Sequence, residues 1–267
     1  MNDSEFTIHT ENVLRNGYTV IPGMLTSEEC DTATHELSRL LKSKEPGNFE
    51  CVFNKAQIFE RSYQIPELLR VVRHFLGEDA VLCAVHGSVI EPGGGISGLH
   101  ADGDVTGHLR LRSQAPIDRD KRITSHAMSI NTIFCISDFT KRNGATHLVP
   151  GSHLIESLGI PDDAVEKTHI IEAERGSVLL FHCNIWHGTS ENRSSQNRYA
   201  MIAPWRRNWS KGPYELCRMV RSDVLERAGE EGRRIFGFDS LQPYLEKWQW
   251  DRERGEPKTE FSGLKRD

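Results

Sequence analysis

The chain has 267 residues, with 33 basic against 38 acidic side chains and a formal net charge of −5. No block of like charge marks a nucleic-acid tail, and no apolar run reaches the ~18 residues of a membrane-spanning helix. At 37% hydrophobic and 27% charged residues the composition is that of a globular protein, and the length allows one or two domains.

In chain order, residues 10–45 read as helix, short extended piece, helix. Gly17-Tyr18-Thr19-Val20-Ile21-Pro22-Gly23 is a β-prone run stopped by proline and glycine. Thr26, followed three residues later by Glu29, is a capping-box pattern that opens a helix, and Pro46-Gly47 closes it beyond Lys44. A second helix is predicted over 65–76, closed by Gly77. From Val81 to Pro204 the period changes. Short apolar runs at 81–90, 126–137, 168–171, 177–183 and 198–203 are separated by Gly, Pro, Asn and Asp clusters. No long helix falls between them, which argues for an antiparallel sandwich or barrel rather than parallel βαβ units. After Trp205 a charged helical pattern returns over 213–232. The expectation is one mainly-β domain over 1–267, with helical flanks at 10–80 and 205–267 around a β core at 81–204.

The six cysteines, Cys30, Cys51, Cys83, Cys135, Cys183 and Cys217, contain no CxxC pair. They read as structural thiols of a reducing cytoplasm rather than a zinc or redox motif. The acidic, polar N-terminus Met1-Asn2-Asp3-Ser4 does not read as a signal peptide.

The chemistry concentrates in two places. After the turn Pro92-Gly93-Gly94-Gly95 comes Gly98-Leu99-His100-Ala101-Asp102. On a strand, positions two apart face the same side. An imidazole and a carboxylate so placed are two thirds of the 2-His-1-carboxylate set of non-haem iron oxygenases. The second place is Gly176-Ser177-Val178-Leu179-Leu180-Phe181-His182, a buried strand that leads to His187 where the apolar run gives out. Eleven residues on, Arg198 interrupts an otherwise apolar run through Met201 and Ile202. A guanidinium in a β core is costly unless it meets an anion, and Arg suits bidentate capture of a carboxylate.

These motifs resemble the phytanoyl-CoA dioxygenase family of Fe(II)- and 2-oxoglutarate-dependent oxygenases. The resemblance spans about 14–235. It is carried by Asn16 to Gly23, by His100-Ala101-Asp102, by Asn143-Gly144-Ala145-Thr146-His147-Leu148-Val149-Pro150-Gly151-Ser152-His153, and by Gly176 to Gly188 with Asn192 and Arg198. It implies a double-stranded β-helix, the cupin-like jelly roll, with Fe(II) on His100, Asp102 and His187. It further implies that Arg198 binds the distal carboxylate of 2-oxoglutarate, helped by Thr189, with Asn131 and Ser97 as further cofactor contacts. His153 is read as ordering a loop near the barrel.

For substrate, Arg110 and Arg112 in the polar segment 104–125, His86 on the strand entering the site, and Trp205 after the Arg198 strand are the candidates. The implied activity is oxidation, by default hydroxylation, of an unactivated C–H in a small organic metabolite such as a natural-product intermediate. It uses O2 and releases succinate and CO2. No nucleic acid or membrane partner is expected. The alternatives are a non-catalytic jelly-roll binding module, or a metal-dependent lyase or isomerase on the same barrel.

Overall fold

The structure, a computed structural model, describes residues 1–102, 127–155 and 159–238, with the backbone of 250–251 and 256–257. The chain opens on α1 (Asp3–Asn16), which begins earlier than the helical pattern suggests because Asn2 caps it and forms a capping box with Glu5. Gly17 ends the helix at φ 84°, the left-handed conformation that glycine adopts without cost. β1 (Tyr18–Ile21) follows directly. α2 (Ser27–Ser43) starts on the predicted box: Thr26 Oγ1 accepts the Glu29 N–H at 3.2 Å and the Glu29 carboxylate accepts the Thr26 N–H at 2.8 Å. α3 (Pro66–Leu76) carries proline in its first turn and ends at Gly77, as predicted.

The β region consists of β2 (Val81–Leu82), β3 (His86–Ile90), β4 (Ser129–Cys135), β5 (Thr146–Leu148), β6 (His169–Ile170), β7 (Val178–His182), β8 (His187–Thr189) and β9 (Arg198–Arg206). The larger sheet runs β1-β7-β4-β9, with β2 and β3 laid successively along the outer edge of β9. The smaller sheet runs β6-β5-β8. Segment 97–100 extends it: Ser97 N–H donates to Thr189 O at 3.1 Å, and His100 and His187 exchange both backbone hydrogen bonds at 2.9 Å. All of these pairings are antiparallel, and the fold is the expected jelly roll.

Two expectations need adjustment. β1, placed in the N-terminal helical flank, is an edge strand of the larger sheet, registered Tyr18↔Phe181 to Ile21↔Val178 against β7. The helix expected over 213–232 is a turn at Leu216–Met219 followed by α4 (Ser222–Ile235), and Gly229 inside α4 leaves helical geometry at φ 64°.

Alternation along the strands sorts the core into two layers. Ile130 and Phe134 of β4, with Met201, Ala203 and Trp205 of β9, pack outward among residues of the four helices. Ile133 and Cys135 of β4, with Ala200 and Ile202 of β9, pack inward against Phe139, Leu148 and Phe181. Asn131 and Arg198 have the inward parity, so the sheet turns one amide and one guanidinium toward the barrel interior.

Candidate active site

The smaller sheet brings the two histidines together. Residues that exchange both backbone bonds across an antiparallel pair project their side chains on one face, and the His100 and His187 rings lie 4.4 Å apart between centroids. The interval between them must stay narrow at Gly188. A Cβ there would sit 2.7 Å from His147 Nε2 and 2.9 Å from Ser97 O. Gly188→Ala is expected to displace the ladder that carries both imidazoles. Overpacking of this kind costs about 1–3 kcal/mol, so a lowered melting temperature with weakened metal binding is the expected outcome; an unperturbed metal titration would contradict it.

Each imidazole is oriented by its Nδ1. His100 Nδ1 lies 3.2 Å from Gly98 O and His187 Nδ1 lies 3.0 Å from Ile185 O. A carbonyl only accepts, so both rings carry hydrogen on Nδ1 and present the Nε2 lone pair. Both Nε2 atoms face Asp102, at 3.6 Å from Oδ1 for His100 and 3.6 Å from Oδ2 for His187. The three groups thus offer ligand atoms all within 4.8 Å of one another, a geometry suited to one metal ion. Burial holds the His187 pKa below its ordinary value, assisted by His100 and opposed by Asp102, which favours the neutral, ligating ring. Phe181 packs on that ring at 4.7 Å.

Asn131, expected as a cofactor contact, also donates through Nδ2 to Asp102 Oδ2. It lines a cavity of about 320 Å³ together with the His100–Asp102–His187 cluster, Thr146, Thr189 and His86. Ser97 is placed differently from the expectation. It does not line the cavity, and its Oγ accepts the Thr189 backbone N–H at 2.8 Å, which pins the segment leading to His100 onto β8. Trp205 corrects the substrate expectation. It is fully buried with the outward parity of β9 and packs among the helices, whereas its neighbour Pro204 lines the cavity. Arg110 and Arg112, with the whole segment 104–125, lie outside the described residues. His153 does order a loop: it is buried, its Nε2 donates to Leu14 O at 3.2 Å, and adjacent Ser152 Oγ accepts the Trp186 N–H at 2.8 Å.

Arg198 has the same parity on β9 as Ile202 and Pro204, which line the cavity, but is not itself one of the lining residues. It is 3% exposed, and its guanidinium stacks on Phe139 at 4.4 Å. Its hydrogen bonds are long, 3.3 Å to Gly144 O and 3.3 Å to Ser88 Oγ, and Nε has no partner. Burial pulls its pKa down to about 10. A buried cation without a carboxylate partner among the described residues fits an anionic ligand that arrives from the cavity side.

Comparison with known proteins places this geometry in context. The family model for phytanoyl-CoA dioxygenase (PhyH) matches residues 13–200. The chain belongs to the phytanoyl-CoA dioxygenase family. It is 27% identical to dioxygenase af480 of Aspergillus fumigatus, over 79% of this chain and 72% of that protein. It is 30% identical to dioxygenase trt7 of Aspergillus terreus, over 66% of this chain and 56% of that protein. Among solved structures, the epimerase SnoN from nogalamycin biosynthesis shares the fold with a TM-score of 0.61 at 15% identity, covering 78% of this chain and 85% of that one. The non-heme monooxygenase ThoJ does so with a TM-score of 0.59 at 16% identity, over 77% and 80% of the two chains. This member of the phytanoyl-CoA dioxygenase family is therefore an iron- and 2-oxoglutarate-dependent dioxygenase-type enzyme, and its donor set of two imidazoles, a carboxylate and a buried guanidinium fits both cofactors.

Proposed function

We propose that this enzyme hydroxylates an unactivated C–H of a small organic metabolite, with Fe(II) held by His100, Asp102 and His187. The observation that carries this reading is the His-Asp-His cluster at a cavity of about 320 Å³, beside a buried guanidinium that meets no carboxylate among the described residues. In this reading Arg198 takes the distal carboxylate of 2-oxoglutarate, and the Thr189 hydroxyl supports it from the cavity wall. Iron with 2-oxoglutarate and O2 supplies the oxidising power, and the keto acid leaves as succinate and CO2. The protein binds, orients and shields. Nδ1 anchoring fixes both imidazoles, Asn131 fixes Asp102, and the apolar walls formed by Ile133, Phe181 and Ile202 exclude water.

Arg198 also separates this reading from a lyase or isomerase that needs no keto acid, in which it would be an uncompensated charge. SnoN, which shares the fold, is an epimerase, so in this reading the outcome after C–H cleavage depends on how substrate is held above the metal. Six cysteines with no CxxC pair among them support a cytoplasmic setting in this reading. Among the described residues no helix is long and apolar enough to cross a membrane.

Succinate release from the iron-loaded protein, screened against a library of small metabolites, tests the reading. Stimulation by one chemical class is expected, and no succinate with or without any compound would overturn it. Asn131→Ala is expected to weaken metal binding by roughly ten- to a hundredfold, the usual effect of losing a group that orients a ligand. A metal titration that matches wild type would show that Asp102 needs no such support.

A further inference from the structure

The cavity carries one more imidazole beside the two of the metal cluster. His86, at the start of β3, lines the cavity but lies outside the three-residue metal cluster. Its Nδ1 is 2.6 Å from Glu50 Oε2, and the same carboxylate oxygen accepts the Tyr214 hydroxyl at 2.9 Å. The Tyr214 ring packs on the imidazole at 5.6 Å. These groups come from three distant segments. Glu50 bridges antiparallel to His86, with Gly87 N–H donating to Phe49 O at 2.8 Å, and Tyr214 follows Pro213, itself a cavity residue.

Neither Glu50 nor Tyr214 lines the cavity. The Nδ1 edge of His86 is thus turned out of it and bound to a group that, when ionised, only accepts. The hydrogen therefore sits on Nδ1. In the neutral ring Nε2, which has no partner among the described residues, is left as a lone-pair acceptor for the cavity. The carboxylate that takes the imidazole N–H strengthens Nε2 as an acceptor, and the Tyr214 hydroxyl, donating into the same oxygen, holds that carboxylate in position.

We propose that His86 is a specificity-determining residue: held by Glu50 and Tyr214, its Nε2 accepts a hydrogen bond from a hydroxyl group of the substrate. The substrate class is then a small hydroxyl-bearing molecule whose position above the metal is set by that bond. The proposal rests on the oxygenase reading for what the cavity holds.

The test uses a matched pair of probes, 2-naphthol and 2-methylnaphthalene, alike in shape and differing in one donor. Each is titrated anaerobically into enzyme loaded with Fe(II) and 2-oxoglutarate. Wild type is expected to favour 2-naphthol by on the order of tenfold. The preference is expected to vanish in His86→Phe and to shrink in Glu50→Gln and Tyr214→Phe, with 2-oxoglutarate affinity unchanged in all three. Nitrogen-15 spectra of His86 are expected to show hydrogen on Nδ1 in wild type and a mixture of tautomers in Glu50→Gln. The proposal is overturned if wild type binds both probes equally or neither, if the preference survives in His86→Phe, or if the tautomer is unaffected by Glu50→Gln. Failure of 2-oxoglutarate to bind metal-loaded wild type would instead count against the oxygenase reading, while the nitrogen-15 spectra, which need no cosubstrate, still report on His86.

Discussion

Arg198→Met is expected to weaken 2-oxoglutarate binding by roughly a hundredfold or more while leaving the protein without cosubstrate as heat-stable as wild type, or more so. Burial is the cause of both effects. The guanidinium is 3% exposed, has two long hydrogen bonds and meets no carboxylate among the described residues. Desolvation lowers its pKa to about 10, which still leaves it charged at neutral pH, so the native state carries the cost of an unneutralised buried cation. Methionine fills comparable volume without that charge, and such exchanges are neutral or stabilising. Cosubstrate binding behaves oppositely, because the incoming carboxylate loses the buried charge assigned to it. Breaking such a pair costs about 3–5 kcal/mol, a loss of roughly a hundredfold or more in affinity. Arg198→Lys keeps a charge but loses the planar fork, and should recover only part of the affinity. The sign of the pKa shift adds a pH dependence: wild-type affinity for 2-oxoglutarate should fall as pH rises toward 10, where the free guanidinium begins to lose its proton. Calorimetric titration and thermal melting read both halves. Retained affinity in Arg198→Met would contradict the assignment, and so would a melting temperature well below wild type.

His187→Ala is the second large effect. It is expected to remove Fe(II) binding and all iron-dependent turnover without unfolding the barrel. The pairing that holds this strand end uses the backbone of His187, not its ring: the N–H and C=O bond to His100, and β8 is registered against β5 through Leu148↔His187. The ring itself contributes an Nδ1 hydrogen bond to Ile185 O and packing against Phe181 and the His100 ring, none of it part of the strand ladder. Asp102→Ala should lose metal equally and affect stability less still, because that carboxylate faces two imidazoles and one amide and is not part of the strand ladder. Metal stoichiometry by elemental analysis, beside far-ultraviolet circular dichroism, separates the two effects. One tightly held iron per chain in either variant would remove that residue from the ligand set.

Legibility in the sequence follows locality. The Thr26–Glu29 box, the proline start and glycine stop of α3, and the long apolar strands β4, β7 and β9 depend on neighbours within a few residues, and their signals survive in the primary structure. The Gly229 break inside α4 and the three-residue strands β5 and β8 are too short-ranged or too brief to register as a period. Residue type and family resemblance suggest the convergence of His100, Asp102 and His187. Its physical cause, a backbone ladder between segment 97–100 and β8, has no local signature. The same limit hides partners. Nothing near Ser97 says that its hydroxyl goes to Thr189 N, and nothing near Glu50 or Tyr214 points to His86. Trp205 misleads because an aromatic after a functional strand reads as a contact, whereas strand parity alone sends it to the opposite face from Pro204.

The central claim is that iron and 2-oxoglutarate work together at the His100–Asp102–His187 cluster with Arg198 beside it. Its most direct test is oxygen uptake by iron-loaded protein on addition of 2-oxoglutarate, with succinate quantified in the same samples. Wild type should form succinate in proportion to oxygen consumed. It should form none when iron or the keto acid is withheld; at keto acid concentrations that just saturate wild type, His187→Ala should form none and Arg198→Met at most a small fraction of the wild-type amount. Succinate production by the two variants at the wild-type rate, or oxygen uptake that is indifferent to 2-oxoglutarate, would contradict it.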